Sequence, residues 1–131
     1  MGTHLEKAEK LREITERHYN CAQSVLIPFA EEAGLDEETA YRMASGFGSG
    51  MKTGSVCGAI TGGVMVLGLL GLDTPENIRM LFNEVREAHA GLTDCRDLLA
   101  LNAEKGGERK PHCDGMVYEV IGILDRIIEN K

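Results

Sequence analysis

Four cysteines, Cys21, Cys57, Cys95 and Cys113, are the residues of this chain best suited to chemistry. A domain of 131 residues buries a sizeable core without disulfide staples, so the thiols are not needed merely to hold it folded. A thiolate attacks disulfides and ligates soft metals. The spacings of 36, 38 and 18 residues contain no CxxC pair. That argues against a zinc ribbon, a bacterial ferredoxin run and a thioredoxin motif, each of which keeps cysteines within one turn. A joint site therefore has to be gathered from distant segments. The alternative is that each cysteine is a separate small buried hydrophobe.

Cys57 stands in TGSVCGAITGG. With no Cβ at Gly58 and Gly62, one face of the following helix is low enough to admit either a neighbouring helix or a compact inorganic cluster. If only three cysteines converge, His18, one helical turn from Cys21, or His112, beside Cys113, completes the set.

The elements that must position these residues read as helices. Residues 5–18 are amphipathic, and Leu11, Ile14, His18, Cys21 and Val25 follow at spacings of three and four, which puts Cys21 on the core face if the helix runs on. Pro28 then kinks or restarts the chain, Gly34 closes the segment, and Asp36 caps a helix that runs into the glycine-rich GFGSGMKTGS. Ser55 caps a buried central helix from Val56 to about Leu70. Thr74-Pro75 opens another helix, with Ile78, Leu81, Phe82, Val85 and Ala88 inward and Gly91 at its end. Thr93 begins a further helix, and Lys110-Pro111 the last, whose inner stripe is Val117, Val120, Ile121, Leu124, Ile127 and Ile128. Nothing asks for a sheet. The expected architecture is all-α, a single-domain bundle of six or seven helices around the glycine-rich central one, over residues 1–131 with 1–4 as a disordered or appended lead-in.

On these boundaries Cys57, Cys95 and Cys113 each fall two residues past a helix start. Unpaired N–H groups and the positive end of the helix dipole there favour a thiolate. Arg109, Lys110 and His112 add to the effect at Cys113. Cys57 is the candidate attacking thiol, with Cys113 or Cys95 resolving. Met43, Met51, Met65, Met80 and Met116 read as core fillers, and Glu37, Glu38, Glu84 and Glu87 as solvent-facing charges.

Composition excludes several classes. The net charge of −7 and the lack of a basic stripe argue against nucleic acid. The charged opening MGTHLEKAEKLREITERH carries no apolar signal segment, so a cytoplasmic location is expected, where ordinary thiols stay reduced. Gly54 to Leu72 is uncharged, but five glycines from Gly58 to Gly71 make a buried helix the better reading than a membrane span. No G-x-S-x-G elbow, phosphate loop or HExxH stretch marks a hydrolase or transferase.

Taken in order, YNCAQSV, the glycine-rich ASGFGSG, VCGAITG with its Cys-Gly-Ala-x-x-Gly pattern, DCR and HC resemble a bacterial and archaeal family, the C_GCAxxG_C_C redox-active proteins, over about Ala8 to Ile128. The resemblance implies that Cys21, Cys57, Cys95 and Cys113 form one functional set in a helical domain. A similar cysteine-bearing domain occurs in split-Soret cytochromes, but the haem signature CxxCH is absent here.

Three functions follow as expectations. The first is a cysteine-ligated iron–sulfur centre for electron transfer or redox sensing, with a redox partner protein. The second is a cofactor-free dithiol/disulfide protein. The third is a zinc-stabilised scaffold that binds a partner. An exposed part of the small-residue face would suit a homodimer.

Overall fold

The computed structural model describes residues 2–130. Seven helices follow in order, with no strand among the described residues: α1 (Thr3–Glu13), α2 (Cys21–Ala30), α3 (Glu37–Ala44), α4 (Gly58–Leu69), α5 (Pro75–Ala88), α6 (Cys95–Glu104) and α7 (Arg109–Glu129). The expected lead-in is helical from Thr3, and His4 stacks on Phe29 at 3.8 Å and hydrogen-bonds Asp125 at 2.7 Å. Met1 of that lead-in lies outside the described residues.

The expected helix over 5–18 ends at Glu13, and Cys21 opens a new one. The reason is a capping box. Asn20 Oδ1 accepts the Gln23 backbone N–H at 2.8 Å, and Gln23 Oε1 accepts the Asn20 N–H at 2.7 Å, so two orphan donors are satisfied reciprocally. The Asn20 amide also donates to the Ala44 and Ser45 carbonyls, tying the start of α2 to the end of α3. Pro28 lies inside α2 without restarting it. The chain then makes a short 3-10 turn and stops at Gly34, whose φ of +83° lets Leu35 N–H reach the Ala30 carbonyl at 2.9 Å.

The enclosed helix is α2, not the glycine-rich one. Nine of the ten residues of α2 are buried, Ala22 to Ala30. In α4 Gly58, Ala59, Ile60, Gly62, Gly63, Val66 and Leu67 are buried, but Thr61, Val64, Met65 and Leu69 are partly exposed and Gly68 is exposed. The glycines of α4 serve this packing. A Cβ on Gly62 would stand 2.8 Å from the Ala22 carbonyl oxygen, and one on Gly63 would meet Leu81 and Val120 at 3.0 Å. At Gly62 and Gly63 the small-residue face is filled within the chain.

α1 and α7 also pack on α2, and α7 meets α4 as well; its stripe Val117, Val120, Ile121, Leu124 and Ile127 is buried as expected, joined by Met116 and Ile123, while Ile128 is only partly buried. Two expected core fillers are instead exposed: Met43 at 53% and Met51 at 38%. Glu84 is held by Arg126 at 2.7 Å rather than standing free.

The contact at Gly62 is with backbone, which cannot move aside cheaply. Gly62→Ala should cost about 1–3 kcal/mol by overpacking, read as a lower urea midpoint. Gly122 in α7 has open space around it, so Gly122→Ala should instead gain about 0.5–1 kcal/mol from helix propensity.

Candidate functional site

The helix starts that carry the cysteines differ from those read from the sequence, and the difference assembles the site. Cys57 is itself the N-cap of α4, in place of Ser55, and Cys95 is the first residue of α6 after the cap Asp94, in place of Thr93. A single antiparallel bridge, Val56 with Asp94, fixes these two starts side by side. Cys57 N–H donates to the Thr93 carbonyl at 2.9 Å and Cys95 N–H to the Ser55 carbonyl at 2.7 Å. Cys21 opens α2, and Cys113 sits one turn inside α7, which begins at Arg109.

All four cysteines line one cavity of about 100 Å³ between the starts of α2, α4, α6 and α7, with Arg12, Arg109, His18 and His112 in the same wall. Gly58 lies at its edge, 3.4 Å by a built Cβ from the Cys21 Cβ. Gly62 faces Ala22 instead. His18 is exposed, and His112 is partly buried, its ring edge-on to His89 at 6.4 Å.

Within the set, Cys21 and Cys113 perturb each other most strongly. The Cys21 thiol donates a hydrogen bond to the Cys113 sulfur, which pulls the Cys113 thiol down from an ordinary 9.0 to about 6. Burial opposes the shift, while Arg109, one turn earlier on the same face of α7, donates to the sulfur and adds its charge, and Arg12 adds charge from α1. The same bond, together with burial, holds the Cys21 proton on, so Cys21 is raised well above 9.0.

Both arginines are braced. Arg12 donates to Asp114 at 2.6 Å and to the Tyr19 carbonyl at 2.8 Å, and Arg109 to Ser49 Oγ at 3.1 Å. A value of about 6 leaves Cys113 mostly thiolate at neutral pH.

The expected dipole effect at Cys57 and Cys95 is overridden. Burial pushes Cys57 up to about 11, although the Ala59 and Ile60 N–H groups of the helix start favour its thiolate. Burial, and then the nearby Cys113 charge, raise Cys95 as well. Cys57 therefore holds its proton more tightly than an ordinary thiol, and Cys113 is the thiol that ionises most readily, through its side-chain partners rather than through a helix terminus. His112 does not add positive charge as expected, because burial and the neighbouring His89 lower it toward the neutral form. Lys110 is turned to Asp114 at 3.0 Å.

A metal or cluster shell needs three or four donors aimed at one centre. Among the described residues no group of three or more His, Cys, Asp or Glu side chains stands in such an arrangement. As placed, the donors among the described residues do not form a closed ligand shell.

Fold and site together define an all-helical domain with a four-cysteine cavity at the meeting of its helix starts. The chain belongs to the C_GCAxxG_C_C family, described as "putative redox-active protein", whose family model matches residues 19–127. No match to the chain is found among curated proteins or among solved structures. No helix among the described residues is long and apolar enough to cross a membrane.

Alkylation by iodoacetamide reports the thiolate fraction. One cysteine, Cys113, should react with a rate that rises as pH climbs through about 6 and levels above it, because its proton is already lost there. Cys21→Ala should move that midpoint up toward 9.0, and further than Arg109→Gln does, since the Cys21 bond is the larger cause. Peptide mapping of the alkylated residue against pH checks both statements.

Proposed function

We propose that this protein is a dithiol/disulfide redox protein in which the Cys113 thiolate attacks and Cys21 resolves. The supporting observation is that Cys21 and Cys113 line one cavity with Arg12 and Arg109 in its wall, and that the two thiols shift each other's ionisation in opposite directions. A protonated thiol and a thiolate paired in one cavity are a two-electron oxidation away from a disulfide. An attacking thiol works best with a pKa near ambient pH, where it is both ionised and still nucleophilic, and a Cys113 value of about 6 meets that condition. Cys21 keeps its proton until the attack is made, which suits the second step. Cys57 and Cys95 line the same cavity as protonated thiols and form its inner wall.

The shared cavity also supports a second reading, a cysteine-ligated iron–sulfur centre for electron transfer or sensing. That reading requires the four sulfurs to gather more closely around one centre.

One preparation separates the two. Protein purified without oxygen is assayed for iron and acid-labile sulfide, then oxidised mildly and mapped by mass spectrometry. The dithiol reading expects colourless protein that loses two hydrogens at a single Cys21–Cys113 bond, a product that Cys113→Ser abolishes and Cys95→Ser retains. Iron with labile sulfide, bleached by substitution of any one cysteine, would favour the cluster. A bond joining other cysteines would remove Cys21 from its role.

A further inference from the structure

Cys113 has a second opening. Besides the inner cavity it lines a surface groove of about 330 Å³, with Leu11, Ile14 and Tyr19 as its apolar side and Arg12, Arg109 and Lys110 as its basic side. Arg12, His18, Arg109 and Cys113 belong to both spaces, so the groove leads from the surface to the thiolate, whereas Cys57 and Cys95 face only the inner cavity. Its volume is at the lower end of the ~300–1,000 Å³ usual for small-molecule sites.

Charge inside the groove runs against the charge of the whole. None of the described residues lining it is Asp or Glu, in a chain whose net charge is −7. Asp114 sits behind it and cancels one cation through Arg12 and Lys110. The side chain of Lys110 remains 64% exposed, and Arg12 keeps one terminal nitrogen beyond its bonds to Asp114 and Tyr19. Two guanidinium groups and an ammonium beside an apolar wall match a ligand with carboxylates on a short aliphatic body.

Resting on the dithiol reading above, we propose that this groove selects the oxidant: a low-molecular-weight disulfide carrying carboxylates, held by Arg12, Arg109 and Lys110 with its sulfur pair against Cys113. The Cys113 thiolate attacks one sulfur of the disulfide RSSR, forming the Cys113–SR bond as the S–S bond breaks and RS⁻ leaves. Cys21 then gives up its proton and attacks the Cys113 sulfur, forming the Cys21–Cys113 disulfide and expelling the second RS⁻, which takes that proton. Two electrons pass from the protein to the ligand, whose products are one RS⁻ and one RSH. Charge and hydrogen balance on both sides. The basic wall also steadies each departing thiolate.

The test is the rate of Cys113 mixed-disulfide formation on the reduced full chain with three probes: glutathione disulfide as the anion, hydroxyethyl disulfide as the neutral case and cystamine as the cation. Each rate is divided by that probe's rate with free cysteine. The net charge of the protein would by itself favour the cation, so the sign of the preference reads the groove. The expected result is an anion-over-cation preference of about tenfold or more at low salt, shrinking as salt rises. Lys110→Glu should lower the anion-to-neutral ratio by about fivefold. Equal rates, or a preference for the cation, with the neutral probe still reacting at Cys113, would overturn the substrate class and leave the dithiol reading standing. Failure of all three probes to react at Cys113 would overturn the dithiol reading and the substrate class together.

Discussion

The pairing of Cys21, the first residue of α2, with Cys113 in the second turn of α7 decides which thiol of the site ionises. It divides two similar groups into an acid and a base: the proton it places on Cys21 is the one it removes from Cys113. Its geometry is fixed by parts that do no chemistry. The Asn20–Gln23 capping box starts α2 at Cys21, and the approach of α4 at Gly62 seats that helix against Ala22. Arg12, clamped by Asp114 and the Tyr19 carbonyl, carries positive charge from α1 to the same point.

Electrostatics at helix starts explains less than their number suggests. Cys57 has two helix N–H groups near its sulfur and still keeps its proton, because removing a thiolate from water costs more than those donors return. Cys113 is farther into its helix and ionises, because it gathers a thiol and a guanidinium as donors and a second guanidinium as counter-charge. Direct partners win over the macrodipole here. Three protonated thiols around one thiolate let the site hold a single negative charge in a small cavity without mutual repulsion.

Much of this was legible in the chain itself. The all-helical class, the inner stripe of α7, the caps Asp36 and Thr74 and the stop at Gly34 each rest on local rules that tertiary context did not override. The C-G-A-x-x-G pattern with its three companion cysteines was enough to indicate the family. What escaped was mostly non-local. The 5–18 periodicity suggests one helix running past Glu13, but the Asn20-x-x-Gln23 box, a signal present in the sequence, starts a new helix at Cys21. The Val56–Asp94 bridge that moves the starts of α4 and α6 by a residue or two joins segments almost forty residues apart, which spacing alone does not announce. That Cys113 rather than Cys57 is the readily ionised thiol depends on Arg12 and Cys21, which come from other helices. No local pattern encodes that contact.

The division of one proton between Cys21 and Cys113 is most directly read by an NMR titration of cysteine Cβ carbons, assigned residue by residue in the reduced protein. A single cysteine, Cys113, should titrate near pH 6, with Cys21 and Cys57 still protonated above 9.0. Four cysteines titrating together near the ordinary value of 9.0, or Cys57 titrating first, would contradict the account.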